Sequence, residues 1–183
     1  MSDALLVVSW IAVVNAARVR LAVGRGEGRP SVGPTVVGGL GALGVVWALA
    51  GASGPLLDWL EVSPETFELA AGMIVVLAGL WVIAVERPRI EPAPPTWLAA
   101  VWPVAFPTFL RPEVAALAIA TGALNGAGPT VWSAAIGVAT ALVVVAVGSS
   151  KQIEAVLAWL ARLLGSVAVL TGIWLLIDGI RSV

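Results

Sequence analysis

Two short stretches of an otherwise apolar chain carry groups able to bind a solute or hold a proton. The first is Ser9-Trp10-Ile11-Ala12-Val13-Val14-Asn15-Ala16-Ala17-Arg18-Val19-Arg20, which sets an amide and two guanidinium groups in or beside an apolar run. The second is Trp102-Pro103-Val104-Ala105-Phe106-Pro107-Thr108-Phe109-Leu110-Arg111-Pro112-Glu113, where three prolines surround one arginine and one carboxyl. Arginine suits an anion, because its planar fork of N–H donors matches a carboxylate or phosphate. Glu113 is the group in this stretch that can carry a proton, and an ionisable residue inside a bilayer points to function. Prolines remove backbone donors and leave carbonyls in need of partners, so a helix breaks there. The candidate substrate-binding residues are therefore Asn15, Arg20, Pro107, Arg111 and Glu113. Plainer readings stand beside this one. Arg18 and Arg20 lie within about two turns of a helix end and can snorkel to the interface. An Arg111–Glu113 pair can serve only to tether a re-entrant turn, and Asn15 can make an interhelical hydrogen bond.

Other chemistries are absent from the alphabet of the chain. It has no Cys, His or Tyr, which removes thiol redox, disulfides, His–metal ligation and imidazole acid–base work. No paired acids fall at a helix spacing inside an apolar run, so an enzyme would rest on lone carboxylates or Lys151. An enzyme is the weakest reading, and no cofactor or metal is expected. The net charge of −1 supplies no basic field for nucleic acid. Asp178 reads as a surface residue near the end of the last helix.

The elements that must position these groups are membrane spans. Sixty per cent of the 183 residues are hydrophobic and 11% charged, with mean hydropathy +1.01. Soluble domains run about 45–50% apolar and about 25% charged. So little polar surface cannot cover a globule in water. An apolar helix needs about 20 residues to cross the hydrocarbon core, and six segments qualify: Ala4–Val23, Pro34–Ala52, Pro64–Val85, Trp97–Ala120, Pro129–Gly148 and Ala155–Ile177. The expectation is an all-α integral membrane protein with broken first and fourth helices. The N-terminus lacks the basic region of a signal peptide, so the first span should be retained. Ser63-Pro64-Glu65 has the form of a helix start, and Gly33-Pro34 and Gly128-Pro129 open two further spans. Leu56–Val62 reads as an interfacial turn, and Glu91–Pro95 as a stiff connector. Trp59, Trp97, Trp132 and Trp159 fall near span ends, where indole sits well. Trp47, Trp102 and Trp174 fit either that belt or packing.

Basic residues set the orientation. Arg18, Arg20, Arg25, Arg29, Arg87, Arg89, Lys151 and Arg162 collect on one side, whereas Asp58, Glu61, Glu65 and Glu68 mark the other, with Arg181. Both termini should then face away from the cytoplasm in a multi-pass protein of the cell membrane.

Self-comparison finds a repeat. Gly33-Pro34-Thr35-Val36 recurs as Gly128-Pro129-Thr130-Val131, and the Gly72–Trp81 stretch recurs as Gly165–Trp174, at offsets of 95 and 93. Residues 1–90 and 91–183 would each hold three spans. An odd number of crossings makes the second copy enter from the opposite side, so the halves are expected to be inverted, as in secondary transporters. Gly72 and Gly79, like Gly165 and Gly172, are spaced for one helix face and close packing. Aligning Ala16 with Pro107 sets Arg20 opposite Arg111.

The order of elements resembles the MarC family of six-span bacterial membrane proteins, within the LysE-type transporter superfamily. The resemblance runs over nearly the whole chain and rests on Asn15-Ala16-Ala17-Arg18-Val19, Phe67-Glu68-Leu69-Ala70-Ala71-Gly72, Pro107–Glu113, Arg162–Gly165 and Asp178-Gly179-Ile180. The chain departs from the family pattern where Ala16 replaces a proline, and where Arg111 and Glu113 flank Pro112 in place of glycines. The resemblance implies transport of a small molecule, such as a small neutral amino acid, without naming one. The leading expectation is a secondary transporter or exporter of an amino acid or other carboxylate, working by alternating access. The competing classes are a structural or accessory subunit of a larger membrane complex and a lipid flippase. The partners expected are the lipid bilayer, a small-molecule substrate and a second copy of the chain.

Overall fold

The computed structural model describes residues 2–23, 32–85, 100–146 and 151–182, which are helical nearly throughout and contain no strand among the described residues. The helices are α1 (Asp3–Val14), α2 (Ala16–Val23), α3 (Val32–Gly51), α4 (Ser53–Trp59), α5 (Pro64–Ala84), α6 (Pro112–Asn125), α7 (Ala127–Ala146) and α8 (Lys151–Ser182). An irregular stretch of wide turns, Val101–Phe109, precedes α6. Among the described residues, five helical spans are long and apolar enough to cross a membrane: α1 with α2, α3, α5, α7 and α8. The Glu91–Pro95 connector, Trp97, Arg25, Arg29, Arg87 and Arg89 lie outside the described residues, as does the Lys151 side chain.

The expected fourth span is the one that departs from a continuous crossing. Trp102 and Phe106 have extended backbone angles, and Pro107 sits at φ −94°, ψ 15°. A new helix begins only at Pro112, the first helical residue after Arg111. Prolines at 107 and 112 cannot donate to the preceding turn, so one continuous helix becomes two short segments, each too short to cross alone.

Elsewhere the local chemistry explains the limits. Ser63 Oγ accepts from the Thr66 N–H at 3.2 Å and Pro64 opens α5, a satisfied helix start. The last helix outruns its expected limits at both ends. Glu154 in its first turn and Arg181 in its last turn suit the helix dipole. The segment expected as a turn around Leu56–Val62 is instead the short helix α4, closed by Glu61 at φ 54°.

Packing depends on small residues. A Cβ built on Gly172 would meet the Gly72 carbonyl oxygen at 2.7 Å, and one on Gly79 would meet the Gly165 oxygen at 2.7 Å. These contacts set α5 and α8 side by side and antiparallel, with Trp81 and Trp174 toward opposite ends of the pair. The core runs between the two parts of the chain: Leu6, Trp10, Val13 and Val14 of α1 pack with Leu117 of α6, Val138 and Val145 of α7, and Leu175 of α8. Trp10 is wholly buried, whereas Trp47, Trp59, Trp102, Trp132 and Trp159 are exposed on the outer surface. Trp174 is half-buried against the core.

Candidate functional site

Two helix breaks meet in the middle of the molecule. The first falls at Asn15, whose left-handed backbone (φ 51°, ψ 75°) ends α1 and lets α2 start at once. Asparagine tolerates this region better than most residues because its short amide bonds locally. Here Oδ1 accepts from the Arg18 backbone N–H at 3.1 Å, capping α2, while Nδ2 donates to the Ala161 carbonyl of α8 at 2.9 Å. One side chain thus closes the break and ties it to another helix.

The break leaves the Val13 and Val14 carbonyls short of helical partners, since the last carbonyls of any helix lack them. Arg111 supplies partners from the far part of the chain. Its Nη2 donates to Val13 O at 2.6 Å and to Val14 O at 2.9 Å. Arg111 itself stands at the second break, directly before α6, where its carbonyl accepts from the Val114 and Ala115 N–H groups. A guanidinium at a helix C-terminus also meets the negative end of the dipole.

Glu113 completes the cluster. Its Oε1 lies 3.3 Å from Arg111 Nε and 3.7 Å from Arg18 Nη1, so a single carboxylate oxygen stands between two guanidinium groups. Arg111 and Glu113 are 7% and 8% exposed and Asn15 is 2% exposed. Glu113 lies in the first turn of α6, where a negative charge is favoured. The Arg111 Nε–H makes no hydrogen bond despite its short distance to Glu113. The contact is therefore an ion pair with one donor left unused. Beside it lies a cavity of about 10 Å³, the space of roughly one water. Asn15, Arg111, Glu113, Ala12, Val75 and Ala168 are among its walls.

Of the five residues expected in the site, three converge here: Asn15, Arg111 and Glu113. Arg20 is buried on α2 but is not among the cavity walls. Pro107 shapes the irregular stretch without lining the cavity. The sequence alignment set Arg20 opposite Arg111; the helix starts suggest another correspondence. Counting from the helix starts, Asn15 precedes α2 as Arg111 precedes α6, 96 residues later. That spacing lies close to the 95 and 93 of the repeated motifs.

Two residues escaped the sequence reading. Arg18, set aside as a residue able to snorkel, reaches Glu113; its spacing of three from Asn15, one helical turn, was the available signal. Glu68, grouped with the outer acidic residues, is 1% exposed on α5, and its Oε1 has no hydrogen-bond partner among the described residues. Comparison of the chain with models of known families, with characterised proteins and with solved structures found no match.

Proposed function

We propose that this chain is a multi-pass protein of the cell membrane that transports a small anionic solute, an amino acid or other carboxylate, by alternating access. The observation that carries the reading is Arg111. It is buried between two helix breaks and held by carbonyls from the opposite part of the chain and by Glu113. An arginine at mid-bilayer costs about 2.5–3.5 kcal/mol even on lenient insertion scales. A scaffold gains from it two capped carbonyls and a tie between the helix breaks. A carrier gains more, because carbonyl and carboxylate partners can be exchanged for the carboxylate of a solute.

In this reading Val101–Phe109 and α6 together make a sixth crossing, and residues 1–90 and 91–183 are inverted repeats. Three features support it: the shared motifs at similar offsets, the equivalent places of Asn15 and Arg111 before α2 and α6, and the antiparallel α5–α8 pair. In that pair Gly72 meets Gly172 and Gly79 meets Gly165, the exchange of partners that a two-fold axis demands. The MarC-like order of elements points the same way. Both termini face outside, and the chain needs no cofactor.

A screen of carboxylates and amino acids in proteoliposomes tests the proposal. The wild-type protein is expected to move at least one solute, and Arg111→Ala and Arg111→Lys to lose that flux, since an ammonium cannot hold two carbonyls and a carboxylate in one plane. Equal flux in Arg111→Ala would sink the assignment. A second reading, an accessory subunit, draws on the small size of the central cavity. It predicts no flux of any solute and co-purification with a larger membrane complex.

A further inference from the structure

A second cavity adjoins the first. It measures about 30 Å³, room for about two waters, and opens where α5 ends. Arg18, Arg162, Trp81 and Val82 are among its walls. Val82 also lines the inner cavity, so the two spaces share a wall. Three contacts cross that boundary: Asn15 Nδ2 donates to the Ala161 carbonyl at 2.9 Å, the Arg18 backbone N–H donates to Asn15 Oδ1 at 3.1 Å, and the side chains of Arg18, on the outer space, and Glu113, on the inner, meet at 3.7 Å.

The geometry at Glu113 is that of an exchange. One oxygen faces two guanidinium groups, the nearer being Arg111 at 3.3 Å. If Arg18 leaves, Glu113 keeps an ionic partner and is not stranded, which would otherwise be the large cost of breaking a buried pair. Arg18 is the more exposed of the two arginines, with 22% of its side chain accessible. An anion in the outer space would find Arg18 and Arg162 on its walls, and the guanidinium fork can turn from one carboxylate-like group to another. We infer that the outer cavity is an anion-binding vestibule and that Arg18 is its gate, released from Glu113 by an entering carboxylate or phosphate group so that the two cavities join. The inference deepens the transporter reading, naming the side of entry and the class of ligand. Arg18 acts here by position and charge, with no covalent step.

The absence of native Cys makes the test direct. Ala168, buried on the wall of the inner cavity, is replaced by Cys. Its reaction with a sulfonated methanethiosulfonate is then timed in phosphatidylcholine nanodiscs. Adding Arg18→Gln is expected to speed labelling about fivefold, the upper scale of one lost, partly exposed ion pair. Removing a positive charge would by itself attract the anionic reagent less and slow labelling, so the sign of the change is diagnostic. Arg18→Lys should restore slow labelling. Inorganic phosphate, acetate, or nanodiscs containing phosphatidylglycerol should each be tried on the Ala168→Cys parent. Acceleration by phosphate or acetate assigns the vestibule to a soluble anion, and acceleration by phosphatidylglycerol assigns it to a lipid headgroup. Any such acceleration should vanish with Arg18→Gln. The gate is overturned if Arg18→Gln labels at the parental rate, or if none of the three probes accelerates the parent. If the Arg18 variants do not fold, the probe experiments on the parent still decide. Failure of the gate is separable from failure of transport: solute flux lost in Arg111→Ala with unchanged Cys labelling in Arg18→Gln removes the gate alone.

Discussion

Asn15 combines a left-handed backbone, a helix cap on α2 and a tie to Ala161 of α8. Alanine would lose both hydrogen bonds and strain the backbone, so Asn15→Ala is expected to cost about 2 kcal/mol or more. Glycine keeps the backbone and loses only the bonds, so Asn15→Gly should cost about 1 kcal/mol. Thermal unfolding in detergent would check the order, and equal losses in the two variants would show that the left-handed backbone contributes nothing. Glu68 makes the opposite case. It is buried with an oxygen that accepts no hydrogen bond, and a buried charge without good partners destabilises. Glu68→Gln should therefore hold or raise the melting temperature. A fall of several degrees would mean that the carboxylate is held by something beyond the described contacts. At this scale the sequence showed which residues were out of place in an apolar run: Asn15, Arg111 and Glu113. It could not show that Arg111 reaches carbonyls 97 and 98 residues away, because no local pattern encodes a long-range bond to main chain. Glu68 was read only as a mark of the outer side, and its burial depends on the face of α5 that it occupies, which the run of sequence does not show.

The helices themselves follow from apolar run length and punctuation. Ser63-Pro64 and the apolar runs of α3, α5 and α7 leave little freedom, and those elements sit within a few residues of expectation. Val101–Phe109 does not, because prolines announce a break but not the path that the freed backbone takes. Among the glycines, function divides by contact. At Gly172 a Cβ would lie 2.7 Å from the Gly72 oxygen and 2.8 Å from the Val76 nitrogen, both backbone atoms that cannot swing aside. Gly172→Ala should cost about 1–3 kcal/mol. Adding Gly72→Ala should cost less than a second full increment, because the first variant has already parted the same two helices. Gly44 has nothing within 4 Å of its Cβ position, so Gly44→Ala should be neutral or stabilise by up to about 1 kcal/mol through helix propensity. Equal losses at Gly172 and Gly44 would contradict the close α5–α8 contact.

At the scale of the molecule, α1 lies antiparallel to α8, since Ala12 and Ala168 line one cavity while Asn15 bonds to Ala161 further toward the start of α8. Both termini therefore lie toward the same end, and Ser2→Cys and Ser182→Cys are expected to be labelled from the same face of intact cells. In the proposed cycle the buried cluster of Asn15, Arg111 and Glu113 is reached alternately from the two faces. The most direct measurement places Cys at Ala12, buried on the wall of the central cavity, and follows its modification by an impermeant thiol reagent in right-side-out and inside-out vesicles. Alternating access requires modification from both faces, with a transported carboxylate raising the rate from one face as it lowers the rate from the other. Modification from neither face, or from one face alone under every solute, would contradict it.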